Sequence, residues 1–231
     1  MVKMKTNYIL LSHKYDNDTP TYGNRDKFEI NNISKISEGH SANSSSWNLS
    51  TNHIGTHIDL PKHFYDEGTS LSDFDISEFF FHKAQMVEVK CDKAHLIEYS
   101  DIESKIDKNT DLLLIKTGYE QHRGAEKYWN DNPGLSSNLG MILREKFICL
   151  RAIGFDFISL TSWKFRDEGK KAHLQFLKKT DNFDKFIIIE DMSLKHINHS
   201  NKIQKVIVSP LFVNGANGTP ATVFCQLMEE T

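Results

Sequence analysis

The chain has 231 residues, with 28 lysines and arginines against 31 aspartates and glutamates and a formal net charge of -3. It shows no basic block or aromatic-basic stripe, which excludes nucleic acid as an expected partner, and no apolar run near the roughly 20 residues that cross a bilayer. The length suits a single domain over residues 1–231 with one substantial core. The apolar segment after the first lysines, Tyr8–Leu11, is too short for a signal peptide. A cytoplasmic protein with a small-molecule substrate is therefore expected.

In chain order, residues 7–14 predict a first strand, and Asn17-Asp18-Thr19-Pro20 is a turn signal. His13, at the strand end, is either a plain terminal residue or part of a pocket, since turns carry function more often than cores do. Residues 22–45 are polar and mixed and predict a loop-rich connection with one short strand. Such a segment could act as a lid over the histidine-rich stretch beyond it. The Ser44-Ser45-Ser46 run reads as linker. Trp47 is an exposed aromatic or a pocket wall; the sequence leaves both open, and it is kept as a substrate-binding candidate.

The stretch His53–Gly68 is the densest in chemistry: His-Ile-Gly-Thr-His-Ile-Asp-Leu-Pro-Lys-His-Phe-Tyr-Asp-Glu-Gly. In an extended segment alternate side chains share a face, so His57 and Asp59 point the same way, roughly 7 Å apart at Cα. A straight strand would carry His63 roughly 20 Å from His57, too far for one ion. Pro61 stands where the chain has to bend, with a fixed φ and no N–H. Gly55 allows close backbone passage just before the ligands. His57, Asp59 and His63 are the candidate metal ligands. Two imidazoles and a carboxylate suit Zn²⁺, Mn²⁺ or Fe²⁺ better than Ca²⁺ or soft copper.

This segment, with His53, Gly55, Thr56, His57, Asp59, Pro61, His63 and Phe64 in place, resembles the signature of the bacterial kynurenine formamidase and cyclase-like metal hydrolases, a family that includes isatin hydrolases. The resemblance extends to the start of the chain, where Leu11-Ser12-His13 and Thr19-Pro20 match the family's opening strand and turn. It implies an α/β fold: a single compact domain of the swivelling β/β/α type, with a central barrel-like mixed sheet and flanking helices, usually a homodimer.

Beyond the motif, Ser70–Phe79 with Phe80 predicts a hydrophobic clamp in the core, and Ala84–Lys90 alternates as a strand. Ser100–Lys108 predicts a short helix, with Ser100 and Glu103 as a capping box. Asp111–Thr117 is nearly all apolar and suits a strand buried on both faces. The family has a similar strand ending in Thr-Gly and facing the pocket, which makes Thr117 a substrate-binding candidate by resemblance. Tyr119–Pro133 reads as a surface loop, a pocket wall or a dimer contact. Ser136–Phe147 predicts a helix with a stripe of Leu139, Ile142, Leu143 and Phe147 and a cap at Ser136 or Ser137. Ala152–Leu160 predicts the next strand, Lys170–Lys178 a helix and Phe186–Glu190 a buried strand. By resemblance, His173 on that helix and Glu190 at that strand end complete the metal shell, across a connection through Asp181 and Asp184 that is longer than usual. Asp191 competes with Glu190 for the ligand role. Lys205–Val213 and Ala221–Leu227 predict a hairpin joined by the Asn214–Pro220 turn, with Pro210 at a bulge or an edge.

Cys91, Cys149 and Cys225 are far apart and read as buried or free thiols. No Gly-x-Ser-x-Gly, His-Glu-x-x-His, Gly-x-Gly-x-x-Gly or phosphate loop is present. Metal-assisted hydrolysis remains. The residues that could protonate the leaving nitrogen are His53, Glu190 and Glu67. The resemblance implies cleavage of an amide C–N bond, with N-formylkynurenine as the first substrate expected and isatin or another cyclic amide as the alternative. A metal-binding scaffold without turnover is the third possibility. The ligand set implies one or two divalent ions, Zn²⁺ or Mn²⁺.

Overall fold

The computed structural model describes residues 8–103, 106–180, 183–198, 200 and 202–228. In chain order its elements are β1 (Tyr8–Leu10), β2 (Phe28–Ser34), β3 (Ser44–Leu49), β4 (His57–Asp59), β5 (Phe80–Phe81), β6 (Ala84–Glu88), β7 (Leu96–Ile97), β8 (Leu112–Lys116), α1 (Lys127–Asn130), β9 (Gly134–Leu135), α2 (Ser137–Lys146), β10 (Ala152–Phe155), α3 (Arg166–Leu177), β11 (Ile187–Glu190), β12 (Ile203–Pro210) and β13 (Gly218–Leu227).

The apolar runs organise the sheet. β6, β8, β10 and β11 lie side by side and parallel, as strands covered on both faces do. On one face Leu113, Ile115, Ile153, Phe155 and Ile188 pack into the core beneath α2 and α3. On the other, Leu112, Leu114, Ala152, Ile187 and Ile189 join Val206, Val208, Val223 and Cys225 inside the barrel. β4 then pairs antiparallel with β11 on one side and with β13 on the other. β12, β5 and β1 complete the antiparallel half, and β12 approaches β6 across the opening. The result is an α/β domain around a nearly closed, barrel-like mixed sheet with few helices. No helix among the described residues is long and apolar enough to cross a membrane.

The helical layer follows its predicted signals. The Ser136 hydroxyl accepts the Leu139 N–H at 3.0 Å and starts α2. Leu139, Leu143 and Phe147 are buried against the sheet. Glu168, in the first turn of α3, accepts the Ser137 N–H and hydroxyl, which ties the two helix starts together. α3 begins four residues before the expected Lys170, because Asp167 and Glu168 favour a helix N-terminus.

Other expectations change. Residues 22–45 are not mainly loop: β2 and β3 form a hairpin, and Ser44-Ser45-Ser46 lies in β3 rather than in a linker. Its strands are exposed on both faces for most of their length, so the alternation that marks a half-buried strand is absent. The expected cap at Ser100 is replaced by Glu98, which pairs with Asp101 around a 3-10 turn at Tyr99–Asp101; residues 104 and 105 of the expected helix lie outside the described set. The predicted clamp becomes two capped 3-10 turns in which Leu71 and Phe79 are buried while Ile76 is exposed. β10 stops at Phe155, and the expected continuation to Leu160 is a bent, irregular segment.

Tyr119–Pro133 is built more deeply into the domain than a surface loop. Tyr119 and Tyr128 are fully buried. The Tyr128 hydroxyl and the Arg123 guanidinium both donate to the carboxylate of Asp191, the latter at 3.0 and 3.1 Å. Asp191 is buried and sits in the left-handed region at φ 51°, where a non-glycine residue needs such support. The clamp therefore fixes the chain just after Glu190. Replacing Arg123 by alanine leaves a buried carboxylate without its partner and should cost about 3–5 kcal/mol, read as a lower midpoint in urea unfolding. A loss below about 1 kcal/mol would mean that the pair acts like a surface ion pair.

Candidate metal centre

Strand register builds the centre. In β4, His57 stands opposite Glu190 of β11, and Asp59 stands opposite Ile188. Directly opposed residues and their i+2 neighbours share a face, so His57, Asp59 and Glu190 all project toward the helix layer. α3 lies on that face and brings His173. Gly169, one turn earlier, lets the helix approach: a Cβ there would fall 2.4 Å from the Thr161 hydroxyl. Pro61 begins the 3-10 turn Pro61–His63 that bends the chain back, as its position after Asp59 predicts.

The four side chains alternate in charge type around one point. His57 Nε2 lies 3.5 Å from an oxygen of Asp59 and 3.5 Å from one of Glu190. His173 Nε2 lies 3.5 Å from Asp59 and 3.6 Å from Glu190. These gaps are long for hydrogen bonds. They match the edge of about 3.4 Å expected between ligands held about 2.1 Å from a central cation. Both imidazoles are turned inward by their other nitrogen: Nδ1 of His57 donates to the Gly55 carbonyl at 2.8 Å, and Nδ1 of His173 to the Gly169 carbonyl at 2.9 Å. Glu190 accepts the Leu160 N–H at 2.7 Å. His53 Nδ1 lies 2.7 Å from Asp59, so Asp59 belongs to two donor groups, His53–His57–Asp59 and Asp59–His173–Glu190. Donor type, spacing and orientation fit a divalent cation.

The family model described as Putative cyclase matches residues 9–161. The chain belongs to this cyclase family. A kynurenine formamidase of Bacillus anthracis is 28% identical to it over 218 residues, 94% of this chain and 96% of the relative. Among solved structures, an isatin hydrolase bound to the product analogue thioisatinate superimposes with a TM-score of 0.78 at 16% identity, over 96% of this chain and 92% of the other. A predicted metal-dependent hydrolase from Bacillus stearothermophilus gives 0.73 at 18% identity, over 94% and 97%. The two solved structures show the shared fold, and the likeness to kynurenine formamidases supports an amidohydrolase.

In this cyclase-family site the expected residues divide. His53, His57, Asp59, His63, His173 and Glu190 all line one cavity of about 310 Å³. The roles expected of two histidines differ from their places. His53, expected as an acid or base, is in a donor group. His63, expected as a ligand, is in neither; its ring stacks on His53 with centroids 4.0 Å apart. Asp191 does not compete with Glu190, since Arg123 and Tyr128 engage its carboxylate. Glu67 is exposed and lines no part of the cavity.

The three substrate-binding candidates lie elsewhere. Thr117 donates its N–H and hydroxyl to the buried Asp156. His13 and Trp47 face a different groove, under the β2–β3 hairpin, and Trp47 is 69% exposed. Sequence reasoning passed over Ser159 and Thr161, which line the cavity beside Glu190 and His173. It also passed over Gly218, where a Cβ would fall 2.5 Å from the His53 ring. The Asn-Gly turn chemistry was the only signal for Gly218.

The electrostatics of the side chains themselves follow from this packing. Burial alone lowers the His57 and His173 imidazoles, but the adjacent carboxylates outweigh it and raise them from 6.5 to about 9 and about 10. Burial opposes ionisation of Asp59, and the adjacent His173, His53 and His57 imidazoles reverse that, holding it well below the usual carboxylate range. Burial lowers His63 to about 4, so it is neutral at pH 7. For the two raised imidazoles the stabilising protonation is complete below pH 6.5 and is lost as pH rises through 9 to 10. A cation must displace those protons, so its affinity rises with pH. Loading at pH 7.5 should release roughly two protons, measured by calorimetry in buffers of different ionisation enthalpy. Absence of proton release would remove His57 and His173 from the ligand set. Asp59→Ala takes away the carboxylate common to both groups and should abolish stoichiometric metal binding; full occupancy by elemental analysis would rule the centre out.

Proposed function

We propose that the protein is a metal-dependent hydrolase that cleaves the amide C–N bond of an aryl formamide of the N-formylkynurenine kind. The observation that carries this reading is the pair of donor groups sharing Asp59 at the floor of a cavity large enough for a single-ring aromatic. The likeness to kynurenine formamidases over 94% of the chain supports the choice of bond. Asp59, His173 and Glu190 would hold one cation, and His53, His57 and Asp59 a second, with His57 giving its single free nitrogen to one ion only. The mixed nitrogen and oxygen donors favour Zn²⁺ or Mn²⁺. A divalent cation bound there supplies Lewis acidity toward a carbonyl and acidifies water.

The chain's own residues do the rest. Phe64 and Ile158 line the cavity and receive the aromatic body. Ser159 and the Leu160 N–H keep Glu190 turned inward. Water adds to the formyl carbon, the C–N bond breaks, and formate and an arylamine leave. His63 faces the cavity and lies outside both donor groups, so it is the side chain free to take a proton from the attacking water and return it to the leaving nitrogen. A second reading, opening of a cyclic amide, is favoured by the structural likeness to an isatin hydrolase; it uses the same donors. The homodimer and the cytoplasmic location are part of the proposal. The dimer would cover the exposed Ile33, Ile36 and Trp47 of the hairpin.

Protein loaded with Zn²⁺ or Mn²⁺ should hydrolyse N-formylkynurenine faster than isatin, and a chelator should abolish turnover. Preference for isatin would transfer the chain to the second reading; no hydrolysis of either would refute both. His63→Ala should lower kcat by about 10²–10⁴ with metal content unchanged. Loss of the metal with the activity would make His63 a ligand.

A further inference from the structure

The metal cavity carries one side chain of permanent positive charge in its walls among the described residues, Arg25. Its guanidinium is not committed to any carboxylate of those residues. It is exposed and stands at the edge of cation–π range of two rings, 5.9 Å from the centre of Tyr22 and 5.7 Å from that of Trp163, while Arg166 lies closer over the same indole at 4.1 Å. Those two rings pack edge to face at 5.0 Å. The turn that presents Arg25 is pressed onto the indole: Gly23 has φ 66°, and a Cβ there would fall 2.4 Å from Trp163. Only glycine meets both conditions. Trp163 is fixed in turn by its backbone N–H, which donates to the Asn132 side chain at 3.0 Å. A guanidinium set at the mouth of the cavity beside two rings and lacking a counter-ion is available to a planar anion, which its fork of donors matches.

The charge balance of the cavity points the same way. Asp59 and Glu190 face the candidate cation, and one divalent ion cancels them; a second leaves positive charge in excess. The remaining wall acid, Asp26, sits beside Arg25 and accepts a hydrogen bond from the Ser50 hydroxyl at 3.2 Å. With the cation bound the floor is neutral or positive, and at the rim the Arg25 guanidinium is the group open to an anion while the Asp26 carboxylate is engaged by Ser50.

We propose that Arg25 is a subsite for a carboxylate borne by the substrate's aromatic body, apart from the bond that is cut. The inference rests on the hydrolase reading above and narrows it to anionic aryl amides. Formanilide leaves Arg25 in water and gains nothing from it. A formamidobenzoate of the right isomer gains a charge-assisted bidentate contact.

The test compares formanilide with the three isomeric formamidobenzoates on the Mn²⁺-loaded protein. The best carboxylated isomer should exceed formanilide in kcat/KM by roughly ten- to a hundredfold, through KM rather than kcat. Arg25→Gln should bring that ratio close to one, and Arg25→Lys should restore part of it. The same ratio in wild type and Arg25→Gln would overturn the proposal. So would a preference for the aminomethyl-substituted formanilide, which would assign the rim to Asp26. If no anilide turns over, the formamidase reading fails by itself. Calorimetric binding of the same compounds then decides the subsite: tighter binding of a formamidobenzoate that is lost in Arg25→Gln supports it, and equal binding overturns it.

Discussion

The register of β4 against β11 is the constraint on which this centre depends. His57 and Glu190 are opposed across one pair of strands, and Asp59 comes two residues later on the same face. β4 is only three residues long, yet it is hydrogen-bonded on both edges, to β11 and to β13. A slip of one residue on either side would send His57 and Asp59 into the barrel, where Ile58 now packs, and bring Ile58 to the metal face. The apolar residue between the ligands is therefore as much a part of the centre as the ligands are. Its burial with Ile187 and Ile189 specifies the register that aligns the donors.

By its side chains alone, the centre is electrostatically costly. Two carboxylates and two imidazoles are almost completely buried around one point, and desolvation opposes every charge there. Mutual pairing and backbone hydrogen bonds offset that cost. The same bonds hold the rings in the orientation a cation needs, so the arrangement is preorganised. Behind Glu190, Arg123 and Tyr128 engage Asp191 so that it does not intrude. The two adjacent acids thus serve opposite ends of the turn, one toward the cavity and one toward the half-buried Arg123 guanidinium. Alternation along β11 and the left-handed turn at Asp191 account for the split.

The rim is of a different character. Tyr22, Arg25 and Trp163 come from segments without regular strand or α-helix, packed ring on ring. The floor is made by strand register and one helix, which admit little variation. The rim is made by loops, which admit more. Metal donors on the sheet and the proposed subsite on the loops is the division expected of a scaffold that serves several substrates.

Local sequence determined a good deal of this. The apolar runs at residues 112–115 and 187–189 demanded strands covered on both faces, and the spacing of His57 and Asp59 demanded a common face. Pro61 demanded a bend, and Ser136 a helix start. Each of these is a short-range property of backbone geometry, and each is present in the structure. Tertiary structure decided the rest. His53 and His63 are both histidines beside a strand; which of them joins the donors depends on where the bend after Asp59 returns the chain. Nothing in the residues marked His13, Trp47 and Thr117 as lying away from the cavity, since their places follow from the hairpin and from Asp156. Arg25 is one arginine among polar neighbours until Trp163, 138 residues further along the numbering, folds against its turn. Sequence patterns report which groups share a face over a few residues. Long-range packing alone reports which faces meet, because that depends on closing loops whose cost and direction no local pattern encodes.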